Sequence, residues 1–226
     1  MLDTDLQAVV LTLKLASYTT LLLLCIAPPL AWWLARGKHW SRSFVESIVT
    51  LPLVLPPTVL GFYLLIAFSP NHWLGQLWQS VMGSTLAFSF SGLVVSSVIY
   101  SLPFVVQPLQ GTFVSLGRCE LEAAATLGYG PIQRFFWIVL PMTLPGFVIA
   151  AALGFAHTMG EFGVVLMIGG NIPGQTEVLS IALFNHVEAL EYTQAHQLAA
   201  GLLVASVAML MLVYGVLKKR QQRMLL

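Results

Sequence analysis

The chain has 226 residues, 58% hydrophobic and only 8% charged, with a mean hydropathy of +0.85. A soluble domain of this size could not cover so much apolar surface with so few charges, so the class is an integral membrane protein. The net charge of +1 argues against a nucleic-acid partner.

A helix needs about 20 apolar residues to cross the hydrocarbon core. Five runs meet this, at roughly 13–34, 45–68, 86–109, 140–168 and 198–217. The expected fold is therefore an all-α membrane protein of one transmembrane domain over residues 1–226, with about five spans. The first run follows two acids, Asp3 and Asp5, and no small-residue cleavage site follows it, so it does not read as a signal peptide.

Charge sets the expected orientation. Arg36, Lys38 and Arg42 follow the first run, Arg118 and Arg134 lie in the loop 110–139, and Lys218, Lys219, Arg220 and Arg223 follow the fifth. When five helices alternate, these nine of the ten basic residues fall on one side, which should be cytoplasmic. The tenth, Lys14, can snorkel to the interface. The N-terminus is then outside and the C-terminus inside, and only a short tail follows the last span.

The second run carries Pro52, Pro56 and Pro57. Proline removes a backbone donor and clashes with the preceding turn, and broken backbone at membrane depth is tolerated inside protein or along a cavity. A pathway-lining helix is expected, a packed kink being the plain alternative. In the outer loop 69–85, Trp73, Leu74, Leu77, Trp78 and Val81 make a one-sided apolar stripe, which predicts a short helix on the membrane surface. On the fourth run Gly146, Ala150 and Gly154 recur every four residues and read as a packing ridge. The loop 169–192 contains an apolar stretch, 178–184, too short to span; a half-helix dipping into the bundle is expected there and would make a six-segment count.

The central loop is the most specific part of the chain. Glu120 and Glu122 precede Ala123, Ala124 and Ala125, a helix-favouring run. Gly128 and Gly130 can end that helix, and Pro131 suits the first position of a second one with Phe135, Phe136, Ile138 and Val139 on its apolar face. The expectation is two short helices joined by a glycine elbow.

His157 and Glu161 are ionisable residues inside the fourth span, four apart and so expected on one helix face. A membrane-embedded acid is a functional candidate, although a satisfied packing acid is the plain alternative. About 1.5 Å of rise per residue from Leu140 places Glu161 near the outer end of that helix, as a gate residue beside the pathway. Cys25 and Cys119 have no metal-ligand spacing, and no metal site is expected. No phosphate-cradling Gly-x-x-x-x-Gly-Lys-Ser/Thr loop occurs, and no hydrolase or metalloprotease motif.

Glu122-Ala123-Ala124, three residues, Gly128, nine residues, Ile138, one residue, Leu140-Pro141 resembles the cytoplasmic loop of permease subunits in binding-protein-dependent ABC importers. Gly160-Glu161-Phe162-Gly163, then Gly170-Asn171-Ile172-Pro173-Gly174 and Thr176, resembles the molybdate and sulfate branch of that family. The stretch from Leu51 to Gly61 is more similar to the molybdate members. One departure is Leu179-Ser180-Ile181-Ala182, where the branch has a proline. The resemblance implies a type I importer permease in the bacterial inner membrane, paired as a homodimer with two ATPase subunits and an external oxyanion-binding protein. It implies ATP on the ATPase and no cofactor on this chain. It makes Glu122, Ala123, Ala124, Gly128, Ile138, Leu140 and Pro141 the ATPase-coupling residues. The broken second run and the embedded acid make Pro56, Pro57, His157, Glu161, Phe162, Gly163 and Asn171 the candidates for the pathway or gate. The expected function is oxyanion import, of molybdate first, with tungstate or sulfate as alternatives, and the chain itself is not expected to be an enzyme. Two readings from other classes are an ion-coupled secondary carrier with Glu161 as its proton site and an intramembrane enzyme using His157 and Glu161. The first lacks the internal repeat such carriers often show. The second lacks a third catalytic partner.

Overall fold

A computed structural model describes residues 2–37 and 40–224. Lys38, counted above among the basic residues, lies outside them. The described residues are helical, with no strand among them. The helices are α1 (Leu2–Ala35), α2 (Trp40–Val54), α3 (Pro57–Phe68), α4 (Trp73–Met82), α5 (Phe90–Ser115), α6 (Arg118–Thr126), α7 (Pro131–Arg134), α8 (Leu140–Gly160), α9 (Gly163–Gly169), α10 (Leu179–Glu188) and α11 (Tyr192–Met224).

Four helical stretches are long and apolar enough to span: Thr4–Ala35, Phe90–Ser115, Pro131–Gly160 and Tyr192–Val213. The expected second span is instead two helices, α2 and α3, meeting at 113°. The cause is local. A residue before proline is pushed out of the α region, and here Pro56 and Pro57 stand together. Pro56 is extended (ψ 136°), and Pro57 opens α3 where its missing N–H costs nothing.

The fourth span also differs from its expected bounds of 140–168. It begins at Pro131, so the second short helix of the loop is the first turn of this span and no separate surface helix. A π-turn over Phe135–Val139 joins α7 to α8, with Leu140 N–H donating to the Phe135 carbonyl five residues back. Pro141 follows at once; its ring would clash with the carbonyl four residues earlier in a regular helix, and the wider turn relieves that. The span then stops at Gly160. Glu161 is extended (ψ 131°), and α9 starts afresh at Gly163.

α1, α5 and α8 pack on one another, with α2 against α5 and α3 against α9. The Gly146, Ala150 and Gly154 ridge is buried. A Cβ on Gly146 would collide with Thr112, and one on Gly154 would lie 2.6 Å from Val105. Packing is what these small residues do there.

The core divides in two. Leu23, Ala27, Val105, Leu109, Phe113, Val139 and Ala150 fill the half nearer α6. Leu15, Leu93, Val164, Val165, Ile168 and Ile181 fill the other half. Between them along α1 come Thr19 and Thr20, along α5 Ser96, Ser97 and Ser101, and past Ala150 on α8 Thr158, all buried. A polar layer thus separates two apolar cores.

Candidate functional site

Beside the polar layer lies a cavity of about 580 Å³, lined by Pro57 and Thr58 of α3, Tyr100 of α5, Ala156, His157 and Gly160 of α8, and Glu161 to Gly163, Leu166 and Met167. Thr58 and Gly160 are exposed, so the cavity opens on the outside of the chain. The broken helices build it. α3 and α9 begin at their breaks, Pro57 and Gly163, and these two residues face each other. A Cβ on Gly163 would lie 2.7 Å from that of Pro57, and a Cβ on Gly61 would lie 2.9 Å from that of Met167. Only glycine permits so close an approach of the two half-helices.

Glu161 is 4% exposed. Glu161 is the residue that caps α8, one position past its last helical residue, and it lines the same cavity as His157. Each residue reaches α5. Ser97 Oγ donates to Glu161 Oε2 at 2.8 Å, and Ser101 Oγ shares a 2.8 Å hydrogen bond with His157 Nδ1. Ser97 and Ser101 are one turn apart, so α5 supplies the register. The Glu161 main-chain carbonyl accepts from Ser180 Oγ of α10. This serine lies in the stretch where the sequence departs from the family pattern, and it ties α10 to the break.

Thr158 Oγ donates to the Gly154 carbonyl at 2.9 Å and stands 3.0 Å from Ser101 Oγ. Ser101 Oγ therefore bridges His157 Nδ1 and Thr158 Oγ. The imidazole stacks on Phe104 at 3.8 Å between centroids and lies against Tyr100 at 4.8 Å. His157 is thus fixed in orientation, with its other nitrogen free of that chain.

Glu161 Oε1, Thr19 Oγ1 and Thr20 Oγ1 are buried with no hydrogen-bond partner among the described residues. Unpaired buried polar groups are uncommon and costly, and of the unpaired atoms only Glu161 Oε1 belongs to a residue that lines the cavity.

Of the candidate pathway residues, Pro57, His157, Glu161, Phe162 and Gly163 line this one cavity. Pro56 is exposed and precedes it. Asn171 lies apart, in a loop whose turns are made by Gly170 (φ 66°), Asn171 itself (φ 58°) and Gly174 (φ 69°). Thr176 knits that loop by donating to the Gly169 carbonyl and accepting from Ile172 N–H at 3.0 Å. Asn171 pairs with Asn185, which also donates to Glu177 at 2.8 Å. Nearby His186 lies 3.0 Å from Asp5 and 2.7 Å from Glu191. Those two acids, Asp5 first, raise its pKa. Sequence reasoning missed Ser97, Ser101 and Thr158. The available signal was two serines four apart within an apolar run.

At the opposite end, α6 carries exposed Glu122 and Ala123, whereas Ala124 is 2% exposed and packs into its own chain. Gly128 has φ 83° and ends the helix, with Tyr129 N–H donating to the Ala124 carbonyl at 3.1 Å. Ile138 falls in the π-turn, and Leu140 and Pro141 open α8.

Residues 27–225 match the family described as binding-protein-dependent transport system inner membrane component. The chain is 56% identical over 211 residues to the molybdenum transport system permease protein ModB of Azotobacter vinelandii, covering 93% of each. It is 35% identical to the protein of that name in Escherichia coli K12, over 93% of this chain and 90% of the relative. The sulfate transport system permease protein CysT of the same strain is 35% identical over 80% of this chain, with 65% of the relative covered. Among solved structures, an inward-facing MetNI methionine ABC transporter superimposes with a TM-score of 0.72 at 16% identity, covering 97% of both chains. A bacterial alginate ABC transporter does so with the same TM-score and identity over 92% of this chain and 76% of the other.

Proposed function

Because the chain belongs to the family of inner membrane components of binding-protein-dependent transport systems, we propose that it is the transmembrane subunit of an ATP-driven molybdate importer. The observation that carries the substrate is the 56% identity to a molybdenum permease over 93% of both chains. A sulfate permease is the second reading, at 29–35% identity to relatives of which this chain covers 65–77%. The chain is a multi-pass inner-membrane transport subunit and no enzyme; hydrolysis belongs to a separate ATPase chain.

The finer reading is ours. Two copies pair so that the open cavities beside Glu161 face a shared pathway. Two ATPase subunits, which hold the ATP, receive the two α6 helices. An external binding protein delivers the oxyanion to the face carrying Asn171 and His186. Movement of α6 is passed through the Gly128 elbow and the π-turn into α8, which is continuous up to the break at Glu161. The paired half-helices α3 and α9 then open or close the polar layer. A tetrahedral dianion meets hydroxyls and main-chain groups there. The Glu161 carboxyl braces the gate, since a carboxylate and a dianion in a weakly screening interior repel each other. Uptake of labelled molybdate by vesicles carrying this chain, its ATPase and its binding protein, with sulfate as competitor, tests the assignment. Molybdate uptake that sulfate competes only weakly supports it; preferential sulfate uptake establishes the second reading.

A further inference from the structure

Arg36 and Arg134 line one small cavity of about 210 Å³ where α1 ends and the fourth span begins, together with Trp32, Leu121 and Pro131. The share of liquid volume per water is about 30 Å³, so this is room for a phosphate group with its nearest waters. Neither arginine sits there by accident of a floppy surface. The Arg36 guanidinium lies 3.7 Å above the Trp32 ring, and Trp32 itself packs edge-on against Phe113. Arg134 belongs to the proline-started first turn of its span, and its Nε is buried with no hydrogen-bond partner among the described residues. Among the described residues, no acidic side chain lines this cavity. Two arginine side chains bordering a common space fit a phosphate, whose oxygens accept several N–H bonds at once.

We propose that Arg36 and Arg134 bind the phosphate of an anionic phospholipid in the leaflet on the α6 side. A lipid is favoured over a free anion by what surrounds the cavity. It sits at the ends of two spanning helices, where headgroups lie, and Ile132, Phe136 and Trp137 beside it are 73%, 58% and 74% exposed. Those side chains fit acyl chains and have no role toward a soluble ion. The bound lipid would brace α7 and the π-turn, the segment that links α6 to α8. The inference rests on the spanning arrangement and is independent of which oxyanion is carried.

The test is native mass spectrometry of the detergent-purified complex with its ATPase, titrated with phosphatidylglycerol or phosphatidylcholine, and separately with inorganic phosphate. Phosphatidylglycerol is expected to stay bound at lower concentration than phosphatidylcholine. Arg36→Gln with Arg134→Gln should shift its titration upward by about tenfold or more, whereas Arg36→Lys with Arg134→Lys should retain most of the binding. On the unaltered chain, added salt should weaken phosphatidylglycerol retention, which keeps the test decisive if the glutamine pair fails to fold. Equal retention of the two lipids, no effect of the glutamine pair, or no salt effect would overturn the proposal. So would occupancy by inorganic phosphate alone, or loss of the ATPase with lipid retention unchanged.

Discussion

Ser97 Oγ donates to Glu161 Oε2 across 2.8 Å, joining the middle of α5 to the break between α8 and α9. This bond fixes the one acid buried among the described residues to α5, the helix that α1, α2, α3, α8 and α9 all contact. If it holds a gate, Glu161→Gln should transport better than Glu161→Ala, because the amide still accepts from Ser97. Glu161→Ala and Ser97→Ala should raise ATP hydrolysis in the absence of binding protein. A buried hydrogen bond contributes about 1–2 kcal/mol, so several-fold changes are expected. Hydrolysis and uptake in reconstituted liposomes report both; full uptake with unchanged basal hydrolysis in the alanine variants would remove Glu161 from the mechanism.

The α6 end gives a sharper test of coupling than bulk at the alanines taken together. Ala124→Trp would disrupt this chain's own packing, since that residue is buried. Ala123 is exposed, so Ala123→Trp probes docking alone. Gly128 has open space around its Cβ position but φ 83°, so Gly128→Val strains only the backbone, by about 1–2 kcal/mol. Both variants should insert normally and lose most ATP-driven uptake. Co-purification of the ATPase with normal uptake in both would argue against a docking role.

His186 predicts a pH dependence. Asp5 and Glu191 raise its pKa above the ordinary 6.5, so its protonated form is favoured in the folded chain. The resulting stabilisation is complete below pH 6.5 and is lost as pH climbs through the raised value. Thermal melts of the purified chain should therefore fall as pH rises above 6.5, and His186→Gln should flatten that slope. An unchanged slope in the variant would show that the cluster has no such effect.

Topology follows from the basic residues. In a background with Cys25 and Cys119 replaced by serine, Gln76→Cys should react with an impermeant reagent from outside, and Ser115→Cys should not. Both positions are exposed on the chain, so protection reports the membrane side. The reverse pattern would invert the arrangement.

The long apolar helices and the Gly128 elbow were legible because each depends on a local property, run length or a positive φ. The two breaks were legible only in part. Pro56 and Pro57 announced one, but the size of the bend, 113°, and the seat of α3 against α9 involve residues about a hundred positions apart. The stop at Gly160 carried no proline, so hydropathy ran straight through Glu161 and placed it on a helix. The π-turn was hidden for a related reason. Pro141 marks a disturbance, and whether it kinks, breaks or widens the helix depends on neighbours. The serines of α5 show in the sequence as a pair four apart, but not what they bind, because their partners are 56 and 64 residues along the chain.

The central claim is that this chain carries molybdate across the membrane through the cavity beside Glu161, driven by a separate ATPase. Proteoliposomes containing this chain, its ATPase and its binding protein, with ATP enclosed on the ATPase side, measure it directly. Labelled molybdate should accumulate on the ATPase side only when ATP and binding protein are both present, and Gly163→Leu, which fills the space against Pro57, should abolish that accumulation without releasing the ATPase. Uptake that persists without ATP under a maintained membrane potential, or undiminished uptake in the Gly163→Leu variant, would contradict the account.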